Sequence, residues 1–441
     1  MPRPCVSLRQ LHRAYSSLST SPAWLAPRVE RVNVSARSNG SFTIDVFHPK
    51  KPASPIIIYL PSGPVIPEYQ EEEDRIISTL AHASEAAIAR VNYRASSVHQ
   101  YPTPIHDTLL AYDWIKENLL QNALTRPVPA AMGVCGELVG ASLAVTLGLT
   151  ECHRGQHRIG AVSVNNPIVD WVFAEDLPAV PASELPEPLA PEETAFPAEE
   201  DPMSMSQPAS EPQPLPVSKS SKRTAKPPSL TAWQLHAENP ALPTVTLSAE
   251  RDVLFRKPEH FFDRFASPIH MFRSPRGTLI YPQSDDSFAS QLPDFPLDLE
   301  TQMDLNHYQT LDSTSPAPLE LPTLIRCRAY ARFYPPAGVN LDLPIWHVTT
   351  GEESPLMDQA SELCKLLRRN IARQMLKSTT GRARWHDDAE KTQYESFANG
   401  RVQLDTAKGT GLWTQQEPDS TWKNDVEAVG FWMKEQLKPQ F

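Results

Sequence analysis

The sequence predicts an α/β chain: a doubly wound, mostly parallel sheet covered by helices on both faces and interrupted by a long disordered insertion. Three observations predict it. Continuous apolar runs at 56–60, 86–93 and 129–135 read as strands buried on both faces. Each is followed by a stretch with apolar residues at helical spacing, and that alternation requires parallel strands with crossover helices. Between Pro178 and Pro228 the chain carries thirteen prolines among Glu, Ser and Ala, too little apolar surface to offset the cost of ordering it.

In chain order, 32–48 alternates around Ser38-Asn39-Gly40, an Asn-Gly turn signal, and predicts an opening hairpin. Strand 56–60 leads to a helix over 71–84 with Ile76, Ile77 and Leu80 inward. After strand 86–93, Ile105, Leu109, Tyr112, Ile115 and Leu119 mark a helix over 103–120. Strand 129–135 opens an apolar helix through Val145, Leu147 and Leu149, and 159–169 reads as the next strand. Past the insertion, 232–266 resumes ordered structure and 276–321 is a second irregular, acidic stretch. A strand over 343–351 precedes a helix burying Leu356, Ala360, Leu363 and Leu367. The last strand covers 401–407. The last helix starts near Asn424, whose side chain with Glu427 makes a capping-box-like start. The expected organisation is a leader at 1–24, a core at 25–175, the insertion at 176–230, a remnant covering segment and irregular loop at 231–320 and the rest of the core at 321–441.

The junction at Gly136-Glu137-Leu138-Val139-Gly140 is a strand, a tight Gly-x-x-x-Gly bend and a helix. Glycines two residues either side of the apex suit a bend too sharp for side chains there. The segment resembles the nucleophile elbow of the α/β-hydrolase fold, in its hormone-sensitive-lipase-like carboxylesterase branch, whose run is G-D-S-A-G-G-N-L-A. Gly136, Gly140, Leu143 and Ala144 match, and Leu138 falls on the serine. Tyr93-Arg94, Tyr101-Pro102, His106-Asp107 and 111–114 resemble the same branch, as does Ser267-Pro268-Ile269; Arg94 and Asp107 are expected to form a scaffolding pair. A second register takes Cys135 as nucleophile, with His386 as the remaining late histidine.

The resemblance implies a catalytic triad and an oxyanion hole, and this chain departs from both. Ser354 occupies the position of the triad acid, and Gly411 that of the histidine. The oxyanion-hole motif H-G-G-G is replaced by Pro61-Ser62-Gly63-Pro64, which leaves only Ser62 and Gly63 as backbone donors because proline has no N–H. A serine-type hydrolase needs a base beside its nucleophile. The expectation is therefore a protein that has lost ester hydrolysis and binds a small apolar or acyl ligand, or a protein or ribonucleoprotein partner. The alternative is an active carboxylic-ester hydrolase with a non-standard nucleophile such as Cys135. The resemblance also places a substrate-covering cap where the insertion and 231–320 fall.

A net charge of −11 argues against a general nucleic-acid binder. One basic run, Arg368, Arg369, Arg373, Lys377, Arg382 and Arg384, offers either a solvated helix face and loop or a contact for RNA or anionic lipid, with Trp385 beside it. The five cysteines have no metal-ligand spacing; reduced, buried thiols are expected, with no metal and no cofactor. No apolar run reaches eighteen residues, so no transmembrane segment is expected. Residues 1–24 carry Arg3, Arg9 and Arg13, many serines and no acid, the composition of a mitochondrial presequence for the matrix, or else of a basic tail.

Overall fold

The computed structural model describes residues 29–49, 54–64, 70–120, 131–154, 158–178, 180, 184–187, 196–197, 230–281, 322–336, 338–382, 384–416 and 421–438. The leader expected at 1–24, most of the insertion and 282–321 lie outside the described residues.

The strands are β1 (Val29–Ser35), β2 (Ser41–Phe47), β3 (Ile56–Leu60), β4 (Ala87–Asn92), β5 (Met132–Glu137), β6 (Ile159–Asn165), β7 (Ile345–Gly351) and β8 (Val402–Ala407). They form one sheet in the order β1-β2-β4-β3-β5-β6-β7-β8, in which only β2 runs against the rest. Every residue of β3 is buried, as its unbroken apolar run demands. The order reverses around β3, where the chain crosses back from β4 to β5. In open α/β sheets such a reversal opens a crevice at the carboxyl ends of the strands.

Helices α1 (Gln70–Ser84), α2 (Thr103–Ile115) and α3 (Leu138–Thr150) follow β3, β4 and β5. Short α4 (Ala232–Leu235) and α5 (Thr244–Leu254) lie in the expected cap region. Then come α6 (Met357–Thr380), α7 (Asp388–Arg401) and α8 (Trp422–Gln436). The core has two clusters, one on each face. Ile76, Ile77 and Leu80 of α1 meet Val426, Val429 and Met433 of α8 on one face; α2, α3 and α6 fill the other. Helices α1 and α8 approach so closely that a Cβ on Gly430 would stand 2.5 Å from the Ala83 Cβ.

Several boundaries differ from the sequence reading. β6 stops at Asn165, not 169, because Asn166 turns to φ +45° and Pro167 follows. Helix 103–120 changes at Lys116 into a π-type turn, Lys116–Leu120. α8 begins at Trp422 and not near Asn424; Thr421 stands at the cap, its hydroxyl donating to Asp425 Oδ2 at 2.8 Å. Gly277–Ile280, in the stretch expected to be irregular, pairs antiparallel with Thr323–Arg326, and Phe196–Pro197, inside the expected insertion, with Tyr330–Ala331. α7 was not foreseen, since only Tyr394 and Ala398 of its fourteen residues are buried and it shows no apolar stripe. Its start is fixed by Asp387, which accepts the Glu390 N–H at 2.7 Å. Cys135, Cys152, Cys327 and Cys364 are free and buried. No helix among the described residues is long and apolar enough to cross a membrane.

Candidate active site at the strand-to-helix bend

β5 ends at Glu137 and α3 begins at Leu138 with nothing between them. The apex Leu138 takes φ +51°, a conformation a branched side chain adopts only when its surroundings impose it. The glycines make that possible. A Cβ on Gly140 would lie 2.1 Å from the Pro61 carbonyl oxygen and 2.2 Å from that of Leu60; on Gly136 it would lie 2.6 Å from the Gly140 backbone. The first turn of α3 thus crosses the end of β3 at backbone contact. The Leu138 side chain is completely buried.

The oxyanion side of the bend is closed on itself. In acyl-transfer sites of this geometry the amide after the apex donates to the developing oxyanion. Here the Val139 N–H donates to the Ser62 carbonyl at 3.2 Å. Gly63, at φ +82°, fits so tightly that a Cβ there would meet Tyr93 Oη and Val139 Cβ, both at 2.9 Å. Tyr93 Oη in turn donates to the Pro61 carbonyl at 2.7 Å. Ser62 and Gly63 therefore do lie against the bend, and Ser62 turns an acceptor towards it.

Ser354 is fully buried just before α6. Its Oγ accepts the Leu356 N–H at 3.2 Å and its own N–H donates to the Gly351 carbonyl at 3.2 Å, a local turn and not a link to any base. Glu353 beside it is exposed. Gly411 has φ +63°, and a Cβ there would stand 2.9 Å from Ala407 Cβ and 3.1 Å from Gly351 Cα, so the position has no room for a side chain. The next residue, Leu412, is buried in the same cluster as Leu138.

The bend and the Gly411 segment are tied together by a polar network that the sequence reading missed. Glu137 is completely buried directly below the apex. Its Oε1 accepts from Asn165 Nδ2 at 2.8 Å and from the Trp413 N–H at 2.6 Å, and Oε2 accepts from the Thr414 N–H at 3.3 Å. Burial pushes its pKa up to about 7 although these donors oppose the rise. Asn165 Nδ2 also donates to the Gly411 carbonyl at 2.7 Å, and Asn166 Nδ2 to the Thr410 carbonyl at 3.0 Å. Thr350 Oγ1 closes the network onto Asn166 Oδ1 at 3.0 Å. The signal was present as an acid and two adjacent asparagines at the ends of apolar strands, where unpaired polar groups are not tolerated.

The structure does not bring the fallback pair together. Cys135 is fully buried on the opposite face of the sheet, among Ile57, Tyr59 and Trp413, and burial pushes its thiol well above the usual range. His386 is exposed ahead of α7; its backbone N–H donates to Glu390 Oε2 and its ring stands 3.7 Å from Asp387. A Ser–His–Asp chain does exist elsewhere: Ser163 Oγ lies 3.2 Å from His347 Nδ1, and His347 Nε2 lies 2.9 Å from Asp405 Oδ2. It runs across neighbouring strands β6, β7 and β8 under Trp432, with Ser163 fully buried and its register filled by parallel pairing. It joins strands and offers no access to a substrate. Arg94 and Asp107 form the expected scaffolding pair, a bidentate contact at 2.7 and 2.9 Å with Asp107 fully buried.

The basic run splits between different partners. Arg368 donates Nε and Nη2 to the Val402 carbonyl, Arg373 lies over the Phe333 ring at 4.9 Å, and Arg382 pairs with Glu390. Lys377 and Arg384 are exposed. Among the described residues no group of three or more His, Cys, Asp or Glu could hold a metal ion.

Strand order, the helix layers and the Gly-flanked bend define the class: the chain has the α/β-hydrolase fold, and residues 57–267 match the family model described as alpha/beta hydrolase fold. Solved structures with the same fold include a hyperthermophilic esterase from the archaeon Pyrobaculum calidifontis, at TM-score 0.52 and 15% identity over 92% of this chain and 83% of that one. A carboxyl esterase 2 from the mycorrhizal fungus Tuber melanosporum matches at TM-score 0.51 and 13% identity, over 94% and 89% of the two chains. EstE1, a thermostable carboxylesterase cloned from a metagenomic library, matches at TM-score 0.51 and 15% identity, over 93% and 90%. A search of curated proteins returns no match.

Proposed function

We propose that this α/β-hydrolase-fold protein does not hydrolyse esters and works as a binding protein of the mitochondrial matrix. It would hold a small apolar or acyl ligand at the strand ends, or dock a protein or ribonucleoprotein partner. One observation carries the reading: the amide that should stabilise an oxyanion is donated to the Ser62 carbonyl, behind an apex that is a buried leucine. A tetrahedral intermediate needs an attacking atom, a base and free donors at one point, and the residues at this bend supply none of the three. The apolar burial of Leu138, Val139 and Leu412 favours an apolar ligand over a polar one.

The test is turnover of short-chain p-nitrophenyl esters by the purified protein, with Cys135→Ala as control. The expected result is a rate equal to that of buffer for both. Turnover abolished by Cys135→Ala would restore the hydrolase reading. For the address, the expected result is import into isolated mitochondria with removal of an amino-terminal leader within residues 1–24; a protein left outside and uncut refutes it.

A further inference from the structure

Away from the bend, on the outer side of α6, lies a cavity of about 880 Å³ between α6, α7 and the strand Thr323–Arg326. It falls in the size range of small-molecule sites. Seven cationic side chains line it against four acidic ones, in a chain whose net charge is −11. The acids are already engaged. Glu362 accepts from Arg273 at 2.9 Å and Arg276 at 2.8 Å, Asp358 accepts the Ala232 N–H at 2.6 Å, and Glu395 lies 4.0 Å from Lys391. Burial raises the pKa of Glu175, which favours its neutral form. Of the seven cations, Arg273, Arg276 and Lys391 are the partners of those acids. Arg326 and Lys365 have no hydrogen-bond or ion-pair partner among the described residues, and Arg368 gives Nε and Nη2 to a carbonyl, which leaves its charge uncompensated. Trp385 adds an indole N–H that is buried and unpartnered among the described residues.

From this geometry we infer a second binding site, for a small molecule bearing two or more phosphates. Guanidinium forks match phosphate oxygens in pairs, and a lysine adds a point charge. Concavity favours a small molecule over an extended polymer: Arg326, Lys365 and Arg368 line one cavity, whereas the exposed Lys377 and Arg384 lie outside it. The site is independent of the bend and of any reaction there.

The experiment is calorimetric titration of inorganic pyrophosphate into the full-length protein at 50 and 200 mM salt, with citrate and a short single-stranded RNA as parallel probes. The expected result is one saturable pyrophosphate site that weakens at the higher salt, and that loses at least tenfold in affinity in R326E/K365E while K377E, on the same helix but outside the cavity lining, binds as the parent does. R326Q/K365Q, checked for an unchanged melting temperature, gives the same reading if charge reversal perturbs folding. No saturable pyrophosphate binding, or unchanged binding in both double variants, overturns the site. Equal binding of citrate overturns the assignment to phosphate. Tighter binding of RNA that is lost in K377E overturns the small-molecule reading in favour of a polymer on the helix face.

Discussion

Glu137 is held in place by three N–H donors and yet sits where water cannot reach it, and the second fact wins: its pKa rises to about 7. An acid whose pKa is higher folded than unfolded binds its proton more tightly when folded. Its contribution to stability is therefore unpenalised below the ordinary carboxylate range and is lost as pH rises towards 7. The expected penalty above pH 7 is about 3 kcal/mol. Chemical denaturation between pH 4.5 and 8 should show this slope in the parent and a flatter one in Glu137→Gln. At the apex, Leu138→Ala should cost about 2–4 kcal/mol, because a fully buried leucine leaves a cavity. Leu138→Ser should give no esterase activity in the nitrophenyl assay, since Gly411 carries no imidazole and the Val139 amide is already bonded.

At the scale of elements, the crossing of α3 over the end of β3 is set by Gly140. An alanine there would place a methyl group 2.2 Å from the carbonyl oxygen of Leu60, the last residue of β3, which cannot move without disturbing its pairing with β5. Gly140→Ala should destabilise by about 3 kcal/mol or more, the upper end for overpacking, read as a shifted denaturation midpoint with unchanged m-value. Most elements were legible because their burial leaves periodic traces: β3 is apolar throughout, and α1 and α6 carry inward stripes. α7 was not, because a helix with two buried residues leaves no period to read. The bend itself was legible from its glycines. The network beneath it was not, because Asn165 and Glu137 meet across β5 and β6 from positions 28 residues apart, and Gly411 joins from 246 residues further on.

At the scale of the molecule, the sheet draws on both ends of the chain. β7 and β8 come after the insertion, yet β7 is the partner of β6 from Ile345 to Thr349. A fragment ending at residue 187 would leave β6 as a bare apolar edge, which favours aggregation. Expressed alone, 29–187 should be insoluble, whereas the full chain should melt in one transition followed by circular dichroism. The close contact at Gly140 has one more consequence. Hydrogen is the only substituent that position accepts, whatever stands two residues earlier, so a well-packed crossing demands the glycine independently of any chemistry at the apex. Genome surveys that recognise enzymes by that spacing therefore read a packing requirement as well as a chemical one.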